Sequence, residues 1–350
     1  MLDYQNEAIS KVRDYAEPKN IEHQAFVEEF CKPFGVDVFA LMNQILHRPI
    51  TMNFQPDRFS NNGKLIIENL IKQGQYHGQF RTGTTNGGRT AYIGGDRFLW
   101  EQRLFFDAYP NDALDRPKYG ALNIFRYIDG ASITFGSCFF VMKHDIVNRC
   151  TFAYGDSATN PTALCTSDTF IGIVSEIVKE YLDKGKVLNQ VLLSSKDGML
   201  ASLLNPCNKL KDLGRNIDYC IETHIHGDIF LESDVESFYL DGSFQNTYIA
   251  EQAEILCKKY GINLYWIPKR QIDIEVEIEA IGSLLISPII PLLAKKIDSL
   301  FGKQGFINTE LIGRASRDSV LHPEVWSDMG SEPELFQYLK QLWRMVGLFG

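Results

Sequence analysis

The feature that most restricts this fold is a change in the period of its apolar residues at Ile50. Upstream, Ile9, Val12 and Tyr15, then Phe26 and Phe30, then Val38, Leu41 and Ile45 recur at helical spacing, interrupted by Pro18 and Pro33. From Ile50 to about Gly242 the texture becomes short β-rich runs punctuated by Gly, Asn and Asp. These are "ITMNF", "QYHGQFRTG", "GSCFFVMK", "RCTFAYGDS", "VLLSS" and "DYCIETHIHGDIFL". GSCFFVMK and RCTFAYGDS read as a hairpin pair. Helices are predicted near Lys64–Gln73, Thr169–Lys184 and Met199–Leu213.

The stretch from Gln245 to Gly350 reads as mainly helical. It ends in an amphipathic segment with Leu335, Leu339, Leu342 and Val346 on one face. Within it, "QIDIEVEIEAI" alternates apolar and acidic residues, which suggests an exposed strand with a helix as the alternative. No internal repeat or low-complexity linker divides the chain. The expectation is an α+β protein: a helical N-terminal layer over residues 1–48, and residues 49–350 as the main domain, or one continuous domain.

Several function classes are disfavoured at once. The net charge of −9 over 350 residues argues against a nucleic-acid surface, which needs a basic patch to neutralise phosphates. No run reaches the roughly 18 apolar residues of a membrane span, and the longest candidate, near Ala280–Leu293, contains two prolines. The first twenty residues have no apolar run, so a Sec-type signal is not expected, although delivery by a dedicated injection machine would leave no such mark. The seven cysteines are scattered and lack a CxxC pair, as expected for reduced, mostly buried thiols. Cys220 is the one close in sequence to histidines.

The run Thr223-His224-Ile225-His226-Gly227-Asp228 invites a zinc reading, but zinc needs three or four converging ligands. Only His322 follows, and the four upstream histidines are unpaired at ligand spacing. No metal is therefore expected. On a strand, Glu222, His224 and His226 share one face while Ile221, Thr223 and Ile225 point the other way. A carboxylate flanked by imidazoles is a candidate catalytic edge. A structural glutamate beside satisfied core histidines is the other reading.

Phe80–Phe105 packs five glycines together with Arg81, Arg89 and Arg97, and such a loop can cradle a diphosphate on its backbone N–H groups. It lacks both GxxxxGK[ST] and GxGxxG, and a Gly/Asn-rich surface turn explains it equally well. Arg58 in "NFQPDRF" could reach a phosphate in bidentate fashion, or could pair with Asp57 at the surface. Tyr119, beside Gly120 in "RPKYGALN", could stack on a base or pack on the core.

The ordered set "TMNFQPDR", "QFRTGTTNGG", "GGDRFLWE", "RPKYGALN", "GSCFFVM…RCTFAYGDS", "IETHIHG" and "LKQLWRMVGLFG" resembles a bacterial family catalogued as a domain of unknown function. It is also similar to effector toxins that ADP-ribosylate a threonine of host ubiquitin. The resemblance runs from about Ile50 to the C-terminus. It implies an ADP-ribosyltransferase-like core of two packed, bent β-sheets, with NAD as cofactor and ADP-ribose donor, and a protein substrate.

Under this resemblance Glu222 is the catalytic carboxylate, and Arg58 the first choice for the arginine holding NAD, with Arg81 its rival. Thr82, Gly83, Thr85, Asn86 and Gly87 would offer donors to the diphosphate or nicotinamide amide, with Tyr119 and Gly120 giving a ring surface. His224 or His226 would take the proton of the acceptor hydroxyl. The expected consequence is a block of host ubiquitination by a secreted effector acting as a monomer in the host cytosol, with the bacterial cytoplasm as the other location. Relatives carry other residues at Gln55, Arg81 and His224. Metal-dependent hydrolysis at the THIHGD stretch, or a degenerate NAD- or partner-binding protein, are the other readings.

Overall fold

A computed structural model describes residues 1–83, 90–159, 161, 163–188, 190–191, 195–206, 217–278 and 287–350. Three helices come first: α1 (Asp3–Ala16), α2 (Asn20–Cys31) and α3 (Val38–Leu46). In α1 the buried Ala8, Ile9, Val12 and Ala16 form a single stripe, which is the helical period of the sequence realised as packing. Helix α3 starts where the Asp37 carboxylate accepts the Ala40 N–H at 2.7 Å, satisfying one of the free donors of its first turn.

At Ile50 the chain turns into β1 (Ile50–Phe54), followed by α4 (Ile66–Gln73), β2 (Gln75–Tyr76), α5 (Gln79–Thr82) and α6 (Asp96–Leu104). Next come β3 (Lys118–Leu122), β4 (Cys138–Met142), β5 (Cys150–Tyr154), β6 (Leu164–Thr166), α7 (Ile171–Lys184), β7 (Lys186–Val187), β8 (Gln190–Val191) and α8 (Lys196–Leu204). After the undescribed residues 207–216 the chain continues as β9 (Ile221–Ile225), β10 (Ile229–Phe230), α9 (Leu231–Asp234), β11 (Val235–Asp241), α10 (Tyr248–Tyr260), β12 (Asn263–Ile267) and β13 (Gln271–Asp273). The remainder is α11 (Ile289–Ile297), β14 (Phe306–Asn308), α12 (Thr309–Leu321) and α13 (Glu332–Phe349).

The α+β class expected from the sequence is the one observed, but the sheet differs from expectation. The described strands form one mixed eight-stranded sheet in the order β12-β11-β4-β1-β3-β9-β5-β6, with small pairs β10-β2, β13-β14 and β7-β8, rather than two packed sheets. The expected hairpin is also absent: β4 sits between β1 and β11, and β5 between β9 and β6. Two runs rich in β-formers paired with distant strands because sheet order depends on tertiary burial, not on adjacency. The run QYHGQFRTG is only briefly extended before α5, and QIDIEVEIEAI gives β13 and then a π-helical turn, Ile274–Ile278.

Phe54, Phe140 and Phe238 pack against one another in the main core, which also takes in Phe152, α2 and α7. On the far side of β5, Ala8 and Val12 of α1 meet Leu104, Phe105, Tyr109, Ala153 and Leu164 in a smaller cluster. A third cluster joins α11, α12 and α13 to β13 and β14. No helix among the described residues is long and apolar enough to cross a membrane.

Candidate active site

The alternation read in β9 places the Glu222 carboxyl group. Ile221, Thr223 and Ile225 are buried on one face, and Glu222 and His224 occupy the other. Directly opposite Glu222 stand two alanines, Ala121 on β3 and Ala153 on β5. Their small side chains leave room above the sheet, and the Glu222 side chain keeps 15% of its surface exposed.

The carboxylate is gripped by the turn after β5. Ser157 donates its hydroxyl to Oε1 at 2.8 Å and its backbone N–H to Oε2 at 3.1 Å. Gly155 makes this turn possible, because its φ of +87° is costly for other residues and a Cβ there would press on the Tyr219 ring at 3.1 Å. Nε2 of His224 lies 3.3 Å from Oε1, a polar contact but not a well-aligned hydrogen bond. Burial pushes the Glu222 carboxyl up, but His224 and the two Ser157 donors outweigh it and hold the group below the ordinary glutamate value.

Glu222 opens into a cleft of about 320 Å³. Tyr119, Gly120 and Asn53 form its base, Arg97 and Trp100 come from α6, and Asp156 and Ser157 from the turn after β5. Gly120 is required by the close approach of β1, since a Cβ there would meet the Thr51 carbonyl oxygen at 2.9 Å and the Met52 side chain at 3.0 Å. Arg97 lies over the Tyr119 ring, its Cζ 4.2 Å from the centroid. Its Nε donates to Glu101 Oε1 at 3.0 Å and its Nη1 to Gln79 Oε1 at 2.7 Å. Glu101, fully buried, also accepts from the Tyr119 hydroxyl at 3.0 Å and from Arg116 at 3.3 Å.

The other expected residues fall in different places. Arg58, the first choice for the NAD arginine, does not line the cleft. Its guanidinium donates to Asp57 at 2.6 Å, and Asp57 also accepts from Arg317 of α12 at 2.8 Å. Gly313 of α12 leaves the space that Asp57 and Arg58 fill. Arg81 is half exposed and paired with Asp115, away from the cleft. Thr82 lines the cleft, and Gly83, with φ +62°, ends α5 beside Asn61. Thr85, Asn86, Gly87 and Arg89 lie outside the described residues.

Both histidines are fully buried, and neither lines the cleft. Nδ1 of His224 and Nε2 of His226 approach the same hydroxyl, Thr151 Oγ1, at 3.0 and 3.1 Å. Nδ1 of His226 meets the Tyr109 hydroxyl at 2.7 Å. Burial, with the neighbouring His224, Lys118 and Arg149, holds the His226 imidazole well below its ordinary value. The expected role of acceptor base therefore fits neither ring. Among the described residues no three His, Cys, Asp or Glu side chains converge as metal ligands.

Sequence reasoning did not single out Ser157, Asp156, Gln79 and Trp100. The Gly-Asp-Ser that closes RCTFAYGDS was the available signal. A second, polar hollow of about 510 Å³ lies beyond the carboxyl ends of β11 and β12. Its Glu310 and Arg314 pair with each other at 2.5 Å, so those two charges are already spent on one another.

No curated protein matches the chain significantly. A family model described as a protein of unknown function, DUF3626, matches residues 49–349, nearly the whole chain beyond its three N-terminal helices. The chain belongs to the DUF3626 family.

Proposed function

We propose that this chain is an NAD-dependent mono-ADP-ribosyltransferase that passes ADP-ribose to a protein side chain. The single observation carrying the reading is the Glu222 carboxylate, held ionised at the base of a cleft beside the Arg97–Tyr119 stack. The cleft is within the range of about 300–1,000 Å³ typical of small-molecule sites. Its aromatic surfaces and single cationic stack suit a ligand with flat rings and a diphosphate.

Cleavage of the nicotinamide–ribose bond passes through an oxocarbenium-like state, as glycoside cleavage does. Positive charge grows on the ribose, so a carboxylate fixed beneath it stabilises the transition state more than the ground state. Each Glu222 oxygen has a lone pair left after the Ser157 bonds, and one can accept the ribose 2′-hydroxyl. Because Ser157 holds the group in place, little reorganisation accompanies the reaction.

The acceptor hydroxyl needs a base at the cleft mouth, and Asp156 is the candidate. It is exposed there, and burial of part of its surface raises its carboxyl above the ordinary aspartate value despite the Ala158 N–H it accepts. A threonine of ubiquitin is the first acceptor to try, on the strength of the sequence resemblance alone. In that reading the chain acts as an effector on host ubiquitination.

The test is incubation with labelled NAD, a eukaryotic lysate and purified ubiquitin, comparing wild type with Glu222→Ala. A labelled protein band that disappears in the variant supports the proposal. Labelling that survives Glu222→Ala, or no nicotinamide release by the wild type, sinks it.

A further inference from the structure

Behind Glu222 the four groups Tyr109, His226, Thr151 and His224 make an unbroken line of polar contacts. It runs away from the cleft and ends under α1, where the Tyr4 ring packs 5.4 Å from that of Tyr109. All four are at most 1% exposed, so water cannot complete a missing hydrogen bond. The protons must therefore be shared among the groups themselves, and only certain arrangements balance.

A neutral imidazole has one donor and one acceptor nitrogen, and a hydroxyl has one proton to give. Suppose His224 turns an Nε2–H toward the Glu222 carboxylate. Its Nδ1 is then an acceptor, and Thr151 must donate to it. Thr151 has no second proton, so Nε2 of His226 must donate to Thr151. His226 then accepts at Nδ1, and Tyr109 donates there. Every donor and acceptor from Tyr109 to Nδ1 of His224 is then used, and Nε2–H of His224 faces Oε1 of Glu222 at 3.3 Å.

With a doubly protonated His224, either Thr151 accepts from both imidazoles and its own buried proton lacks a partner, or Thr151 donates to His226 and Tyr109 becomes the acceptor of an Nδ1–H. The Tyr109 proton would then need another acceptor, and the Tyr109 oxygen has no other hydrogen bond among the described residues. A buried hydroxyl proton without a partner is costly, so the first arrangement is favoured.

We infer that Tyr109, His226, Thr151 and His224 form a one-directional hydrogen-bond chain that positions the Glu222 carboxylate, with both histidines neutral and protonated at Nε2. These are positioning residues, since none of them reaches the cleft. The inference deepens the transferase reading and rests on it for its catalytic consequence, although the proton arrangement stands without it. Other ionisable groups face this line: Arg97 and Asp156 near Glu222, Lys118 and Arg149 near His226, and Glu101, Asp115 and Arg116 near Tyr109.

Two measurements on the full-length protein test it. Nitrogen NMR of histidine-labelled protein at neutral pH, with His224→Gln and His226→Gln for assignment, is expected to show both rings as neutral Nε2–H tautomers. An Nδ1–H form or an imidazolium at His224 overturns the inference even in a protein with no transferase activity.

The second is nicotinamide release against pH for Thr151→Val and its hydroxyl-retaining counterpart Thr151→Ser. Thr151→Val is expected to lower kcat about tenfold, leave the KM for NAD unchanged, and move the acid limb to higher pH. Thr151→Ser restores all three. An unaltered acid limb and kcat in a folded Thr151→Val protein overturns the positioning role. If Thr151→Val fails to fold, a Thr151→Ser protein that also loses kcat does the same. Absence of turnover in the wild type counts against the transferase reading and leaves the NMR result to decide this one.

Discussion

Ser157 holds both oxygens of Glu222, one through its hydroxyl at 2.8 Å and the other through its backbone N–H at 3.1 Å. A carboxylate pinned at both ends points in one direction and stays ionised. Removing one donor should alter both properties together.

Replacing Ser157 with alanine removes the hydroxyl donor and spares the backbone one. A hydrogen bond to a charged group contributes about 1.5–3 kcal/mol, so nicotinamide release should fall about tenfold or more. The sign of the pH effect follows from linkage. Glu222 has a lowered carboxyl pKa in the folded state, so it stabilises the protein above the ordinary value of 4.5, and this contribution is lost as pH falls through the lower folded value. Urea unfolding should therefore show wild type above Ser157→Ala at pH 7, with the gap closing below about pH 4.

Arg97 is expected to matter for binding and stability together. Arg97→Lys keeps the charge but loses the planar stack on Tyr119 and one of two directional bonds. The KM for NAD should rise by about tenfold, measured by steady-state nicotinamide release. Arg97→Ala leaves the buried Glu101 with one arginine fewer, and unfolding free energy should drop by about 3 kcal/mol.

Asp156 separates two halves of the proposed reaction. Asp156→Asn should reduce transfer to protein by about a hundredfold while leaving nicotinamide release within a few-fold of wild type. Comparing band labelling with free nicotinamide measures the split. Equal loss of both would remove Asp156 from the role of acceptor base.

Lys118 gives a stability signature on the alkaline side. Burial lowers its amine from 10.5 to about 8, against the opposing pull of Asp228. Between those values the unfolded chain binds more protons than the folded one, so stability rises with pH across this window, by about 3 kcal/mol at most. In Lys118→Met the rise should be missing from unfolding curves taken at pH 7.5 and 10.

The β9 alternation was legible in the sequence because period two is a local property: Ile221, Thr223 and Ile225 against Glu222 and His224. The α+β class and the three opening helices were legible for the same reason. The neighbours of β4 and β5 were not, because pairing depends on which distant strands share a buried face.

The arginines show the same limit. Arg58 and Arg97 both follow turn-rich segments, and nothing near either one tells them apart. The difference lies in Arg317 and Gly313 on α12, which claim Asp57 and Arg58, and in Gln79 and Glu101, which hold Arg97 over Tyr119. Ser157 is not legible in the sequence, because its position depends on the left-handed turn at Gly155, a conformation that the letters Gly-Asp-Ser permit but do not demand.

Ala8 and Val12 of α1 share a cluster with Phe105 and Tyr109, yet the DUF3626 match begins only at residue 49. A polypeptide cut to the matched segment would wet the ring at one end of the buried polar line. The stretch by which kinship is recognised and the stretch that must fold together therefore differ in length, and shortening this protein at its family boundary would strip the insulation from behind its own carboxylate.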